Sequence, residues 1–181
     1  MKKVAWGAPK RLEDGSEYTA HPGGAVPALQ LEDGSVLTEG IAISSYIASR
    51  GKSDSGLVPA YGSLAYFREL EKLSFVTSEI HKGLGGLFTN PPADVRDAMV
   101  KRVQSKFAIL DKELASHAYL VGDGFTLADA YLYTVFRWCP GLHADTSAFP
   151  VLEAYIKRIG ELPAVQAALK REGASASGDG K

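Results

Sequence analysis

Apolar residues change their spacing along the chain once, near residue 50. Up to about Ala25 they are scattered among Gly, Pro and charged positions. Val26-Pro27-Ala28-Leu29-Gln30-Leu31 then reads as a short strand, and Val36-Leu37-Thr38 as a second. Between them stands Asp33-Gly34, a pair that favours a tight hairpin turn. A helix is predicted from about Glu39 to Ser49, with Ile41, Tyr46 and Ile47 among its apolar positions. Residues 49–56 are polar and glycine-bearing, a linker by composition. From about Ala60 the spacing is helical throughout. Leu73, Val76 and Ile80 share one face, and Val95, Met99, Val103, Phe107, Leu110 and Leu114 form a longer stripe. Pro91-Pro92 precede that stripe, where a missing N–H does no harm. Residues 127–138 are apolar nearly all round, the mark of a central buried helix, and Pro140 ends them. Two shorter helices open at Pro150 and Pro163.

The predicted layout is therefore a small α/β unit over residues 1–50, a linker over 51–59, an all-α domain over 60–172 and a disordered tail over 173–181. A lone two-stranded hairpin is marginal in water, so the first unit reads as an incomplete one.

Composition narrows the possibilities. The chain has 181 residues, 45% of them hydrophobic, enough for a genuine core. Twenty Lys+Arg against twenty-one Asp+Glu leave a net charge of -1, without the basic excess that nucleic-acid binding needs. No apolar run approaches the ~20 residues that span a bilayer, so a membrane is not expected. The basic N-terminus lacks the apolar stretch of a secretory signal. Cys139 is the single cysteine and cannot close an intrachain disulfide, which fits a reducing, cytoplasmic setting.

Four places could carry chemistry or organise it. In Phe125-Thr126-Leu127-Ala128-Asp129, Thr126 can cap a helix while Asp129 reaches back to the Thr126 N–H and Phe125 staples onto Ala130; the plain reading is structural. Val26-Pro27 is either an ordinary strand entrance or a cis-proline that turns the Val26 backbone outward to pair with a peptide-like ligand. Thr38-Glu39-Gly40 is either a cap, with Thr38 as N-cap, or a helix start that binds a carboxylate while Glu39 accepts an ammonium. Ser74, Ser78 and His81 fall on one helical face, continuing Phe67 and Leu70 upstream, as if a helix left a core and entered a cleft. His81 could then donate a hydrogen bond or accept a proton; the alternative is a surface histidine beside Lys82. The run from Gly83 to Phe88 lacks the Lys-Ser/Thr of a phosphate loop and reads as a helix terminator. Cys139 and His143 have no further ligands nearby, so no metal is implied, and no Gly-x-Ser-x-Gly occurs. His21 and His117 show no partner.

The ordered set Val26-Pro27-Ala28-Leu29, Asp33-Gly34, Leu37-Thr38-Glu39-Gly40, Glu79-Ile80-His81-Lys82-Gly83 and Phe125 to Ala130 before Arg137-Trp138 resembles the glutathione S-transferases, most closely the bacterial beta class. The resemblance runs from about Lys10 to Gly173. It implies a thioredoxin-like α/β domain followed by an all-helical domain, usually in a homodimer. It implies that Val26, before cis-Pro27, pairs with the cysteinyl backbone of glutathione, and that Glu39 and Gly40 hold the γ-glutamyl end. Lys10 would approach the glycyl end, while Ser74, Ser78, Glu79, Ile80 and His81 line the site, partly across the dimer. Arg137 and Trp138 would lie near a hydrophobic electrophile. Family members begin with a strand, a loop bearing a catalytic Cys, Ser or Tyr, and a helix. Here Met1 to Trp6 matches the second strand instead, so the thioredoxin-like domain is expected to be truncated. His81 and Lys10 are then the groups left to stabilise a thiolate, with His81 in the catalytic role. The function implied is conjugation of glutathione to hydrophobic electrophiles, a detoxification reaction. The other possibility is a catalytically silent module that binds or dimerises.

Overall fold

The computed structural model describes Val4 and residues 10–12, 14–21, 23–51 and 56–173. The expected tail beyond Gly173 and part of the expected linker lie outside these residues. So does the expected strand from Met1 to Trp6, apart from Val4, which bridges Leu12 in antiparallel fashion. The chain divides into two compact units, residues 1–55 and 56–181.

In the first unit, β1 (Ala28–Gln30) pairs antiparallel with β2 (Val36–Thr38), and α1 (Gly40–Ser49) follows. Gly34 sits in the turn at φ 84°, a conformation glycine adopts without a Cβ penalty. The ordered strand begins at Ala28 rather than Val26, because Pro27 has no N–H to give the ladder.

The second unit is helical. Its helices are α2 (Leu64–Phe75), a π-helical turn (Val76–His81), α3 (Lys82–Leu87), α4 (Ala93–Leu114), α5 (Leu127–Phe136), α6 (Pro150–Gly160) and α7 (Pro163–Glu172). Leu73, Val76, Ile80, Val103, Phe107, Leu110, Leu114, Leu132, Val135 and Leu152 build its core. Phe107 meets Phe136 and Phe149 at ring separations of 5.2 and 5.8 Å, tying α4 to α5 and to the approach of α6.

Asp129 is completely buried at the start of α5 and does more than close a capping box. It accepts from the Thr126 N–H at 2.8 Å, the Thr126 hydroxyl at 2.9 Å, the Leu120 N–H at 2.9 Å and the Tyr155 hydroxyl at 2.5 Å. One carboxyl therefore fixes the helix start, the loop before it and α6 together.

Three expectations are corrected. The glycine run from Gly83 does not terminate a helix but forms α3. A Cβ on Gly83 would stand 2.6 Å from Val103 Cγ2, and one on Gly86 would collide with Met99, so these glycines let α3 press against α4. Phe67 and Leu70 are not the core end of a stripe; they are 55% and 37% exposed. α5 stops at Phe136 rather than Trp138, because Pro140 has no N–H for the Phe136 carbonyl, which Cys139 takes instead at 3.0 Å.

Candidate active site

Each unit contributes a distinct cluster. In the first, the hairpin register places Ala28 opposite Thr38, so Val26-Pro27 and Glu39-Gly40 lie at the same end of the ladder. The Val26–Pro27 peptide is cis, and Val26 is 47% exposed. A Cβ built on Gly40 would reach the Pro27 ring at 3.9 Å, so the proline packs against the first residue of α1. The capping alternative with Thr38 does not form: Glu39 is the N-cap residue, and no side chain caps the helix start. Glu39 itself stands at φ 67°, ψ 119°, where a side chain costs of order 1–3 kcal/mol. An uncapped helix start leaves its first N–H groups free of intrahelical partners, the chemistry that suits an anion. The open helix start and the exposed Val26 thus stand at one end of the hairpin. Lys10 is half-buried in the same unit, its carbonyl accepting from the Tyr18 N–H at 3.0 Å.

In the second unit, Ser74 and Ser78 are exposed, and the Ser78 hydroxyl donates to the Ser74 carbonyl at 2.9 Å. Glu79 pairs with Lys106 of α4 at 3.1 Å and lies 3.9 Å from Arg102. Ile80, expected to line the site, is instead completely buried, backbone included, and packs in the core. His81 ends the π-helical turn, a rare geometry that often marks functional sites. Its Nδ1 shares a hydrogen bond with the Tyr131 hydroxyl of α5. The Trp138 ring stands edge-on to it at 4.8 Å, and Phe88 stands edge-on to Trp138 at 5.4 Å. Burial lowers the His81 pKa below its ordinary 6.5, so the ring is neutral at neutral pH. Burial also raises the Tyr131 phenol, which keeps its proton.

A neutral imidazole with one nitrogen engaged keeps the other for a hydrogen bond or a proton, and the adjoining aromatic rings suit an apolar substrate. Tyr131 was not evident in the sequence, because α5 carries a second phenol, Tyr133, and nothing local distinguishes the two.

The C-terminal domain family of the glutathione S-transferases matches residues 62–163. Glutathione S-transferase GstA of Escherichia coli O157:H7 is 36% identical over 166 residues, covering 91% of this chain and 82% of that protein. This chain belongs to the glutathione S-transferases. A sphingomonad glutathione S-transferase complexed with glutathione superposes at a TM-score of 0.83 with 43% identity, over 93% of this chain and 84% of that one. The bacterial beta class enzyme of Sphingomonas chungbukensis gives 0.84 and 40%, over 91% and 83%. The transferase is thus close to the beta class, with the family's small sheet-and-helix unit followed by its all-helical domain. Among the described residues no helix is long and apolar enough to cross a membrane, and no group of three or more His, Cys, Asp or Glu could hold a metal ion.

Proposed function

We propose that this transferase binds glutathione through Val26, Glu39 and Gly40 of its first unit and that His81 of its second unit serves the thiol chemistry. The observation that carries the reading is the uncapped start of α1 beside cis-Pro27, with Val26 exposed. Peptide pairing suits the Val26 backbone, and the γ-glutamyl carboxylate suits the open N–H groups of α1. Glu39 is matched to the γ-glutamyl ammonium, and Lys10 to the glycyl carboxylate. An N–H from His81 stabilises the thiolate, which is the nucleophile. Ser74, Ser78 and Glu79 complete the helical domain's share. Phe88 and Trp138 receive a hydrophobic electrophile, with Arg137 nearby, in a detoxifying conjugation.

The chain acts as a homodimer: Tyr61, Leu64, Phe67 and Leu70 form an exposed apolar row on and before α2 of the kind that pairs with a second copy. A buried single cysteine suits a cytoplasmic setting.

The test is conjugation of glutathione to a nitroaryl chloride, together with retention on immobilised glutathione. Glu39→Gln should raise KM for glutathione at least tenfold with little change in kcat, and His81→Ala should lower kcat. Wild-type affinity in Glu39→Gln together with wild-type turnover in His81→Ala would sink the assignment.

A further inference from the structure

His81 has two ring nitrogens, and which one carries the proton decides whether it can help a thiolate at all. A neutral imidazole has one N–H and one lone pair. Burial alone lowers its pKa, with no charged group contributing, so the ring meets its substrate uncharged. Only the nitrogen that carries the hydrogen can then stabilise a developing sulfur anion. Nδ1 is taken by the Tyr131 hydroxyl.

The direction of that bond follows from acid–base matching. An imidazole nitrogen is a far stronger proton acceptor than a phenol oxygen, and a phenol O–H is a better donor than a neutral imidazole N–H. The neighbouring Thr77 hydroxyl gives its own proton to the Leu73 carbonyl at 2.7 Å and can only accept from Tyr131, and the imidazole nitrogen is the stronger acceptor of the two for the phenol proton. The Trp138 ring, 80° from the imidazole plane at 4.8 Å, fixes how the imidazole stands. Tyr131 meets it from α5 at a ring separation of 5.6 Å. The imidazole thus meets Tyr131 of α5 and Trp138 just beyond the end of that helix.

We propose that Tyr131 is the positioning residue of His81: its phenol donates to Nδ1, holds the proton on Nε2, and so gives the ring an N–H to present to the glutathione sulfur. The choice of sulfur as the recipient rests on the function proposed above; the choice of tautomer does not. Tyr131 touches no substrate in this scheme and acts only through His81. A phenylalanine there would keep the packing and lose the selection.

The test uses protein labelled with 15N in histidine, with the His81 signal assigned from its loss in His81→Ala. Long-range proton–nitrogen correlation at pH 8 should show wild-type His81 with its proton on Nε2. In Tyr131→Phe the signal should shift toward a mixture of both tautomers, with an unchanged urea midpoint confirming the fold. In turnover, Tyr131→Phe should lower kcat about fivefold at nearly constant KM, the effect of one net hydrogen bond. Tyr131→Phe combined with His81→Ala should be no slower than His81→Ala alone. A proton on Nδ1 in the wild type, or the same tautomer in Tyr131→Phe, overturns the proposal. If His81→Ala leaves turnover and glutathione affinity unchanged, the reading of His81 as the thiol's partner fails, and the nitrogen spectra still decide the role of Tyr131.

Discussion

Glu69 offers a direct measure of how strongly the helical unit responds to a buried charge. The residue lies on α2 and is 2% exposed, and its Oε1 accepts the Leu127 N–H at 3.2 Å. Burial raises its pKa most; the Leu127 N–H opposes that rise, and the charge of Asp129 adds to it. The carboxyl is pushed from its ordinary 4.5 up to about 7. The folded chain therefore holds this proton more tightly than the unfolded chain does. The stabilisation is fully present below pH 4.5 and is lost as the pH rises through 7. A gap of about 2.5 in pH, at about 1.4 kcal/mol for each, makes the loss about 3 kcal/mol by pH 8. Glu69→Gln keeps the volume and the carbonyl that receives the Leu127 N–H but removes the titration. Urea unfolding followed by circular dichroism should find the variant about 2–3 kcal/mol more stable than wild type at pH 8. At pH 4.5 the two should agree to within about 0.5 kcal/mol. Stability curves that run parallel between those pH values would refute the reasoning, since the substitution would then not have removed the titrating group.

Asp129→Ala leaves the Leu120 and Thr126 N–H groups and the Tyr155 hydroxyl without their acceptor, at about 1–3 kcal/mol each. The variant should lose most of its helical signal at 37 °C, and a melting temperature within about 2 °C of wild type would contradict this account. Gly83→Ala puts a methyl 2.6 Å from Val103 Cγ2 and should cost about 1–3 kcal/mol in urea unfolding. Val103→Ala should recover part of that loss in the double variant, and strict additivity of the two costs would argue against the contact. Cys139 is 1% exposed and its thiol is pushed up to about 12 by burial. A thiol-specific disulfide reagent at pH 8 should leave it untouched in native protein and label one equivalent in denaturant; rapid native labelling would mean the α5 region opens readily.

Most of the fold was legible because its signals are local. Asp33-Gly34 and two apolar triplets define the hairpin, and prolines at 150 and 163 mark two helix starts where the structure has them. Thr126 and Asp129 announce α5 through three-residue spacing alone. What stayed hidden depends on neighbours distant in sequence. Gly83 and Gly86 look like helix breakers until Val103 and Met99 of α4 are set against them. Glu69 looks like one more surface charge on a polar helix until the start of α5 covers it. The site divides in the same way. Val26-Pro27 and Glu39-Gly40 stand out as short motifs, and the register of one hairpin brings them together. Tyr131 lies fifty residues from His81, and no local rule joins the two.

The π-helical turn between α2 and α3 acts as a phase slip in one continuous rod from Leu64 to Leu87. A wide turn takes about one more residue to close than an α-turn, which is worth roughly a quarter of a revolution. Counted as plain α-helix, His81 belongs in line with Ser74 and Ser78; with the slip it swings round to Tyr131 and Trp138 while the two serines stay in solvent. α3 inherits the new phase, which is the one that lays Gly83 and Gly86 against α4. Removing a single residue from this turn would restore a regular helix, improve every local propensity in it, and in the same stroke aim the histidine at nothing. Here the irregularity is the informative part of the helix: its extra residue sets the direction in which His81 points.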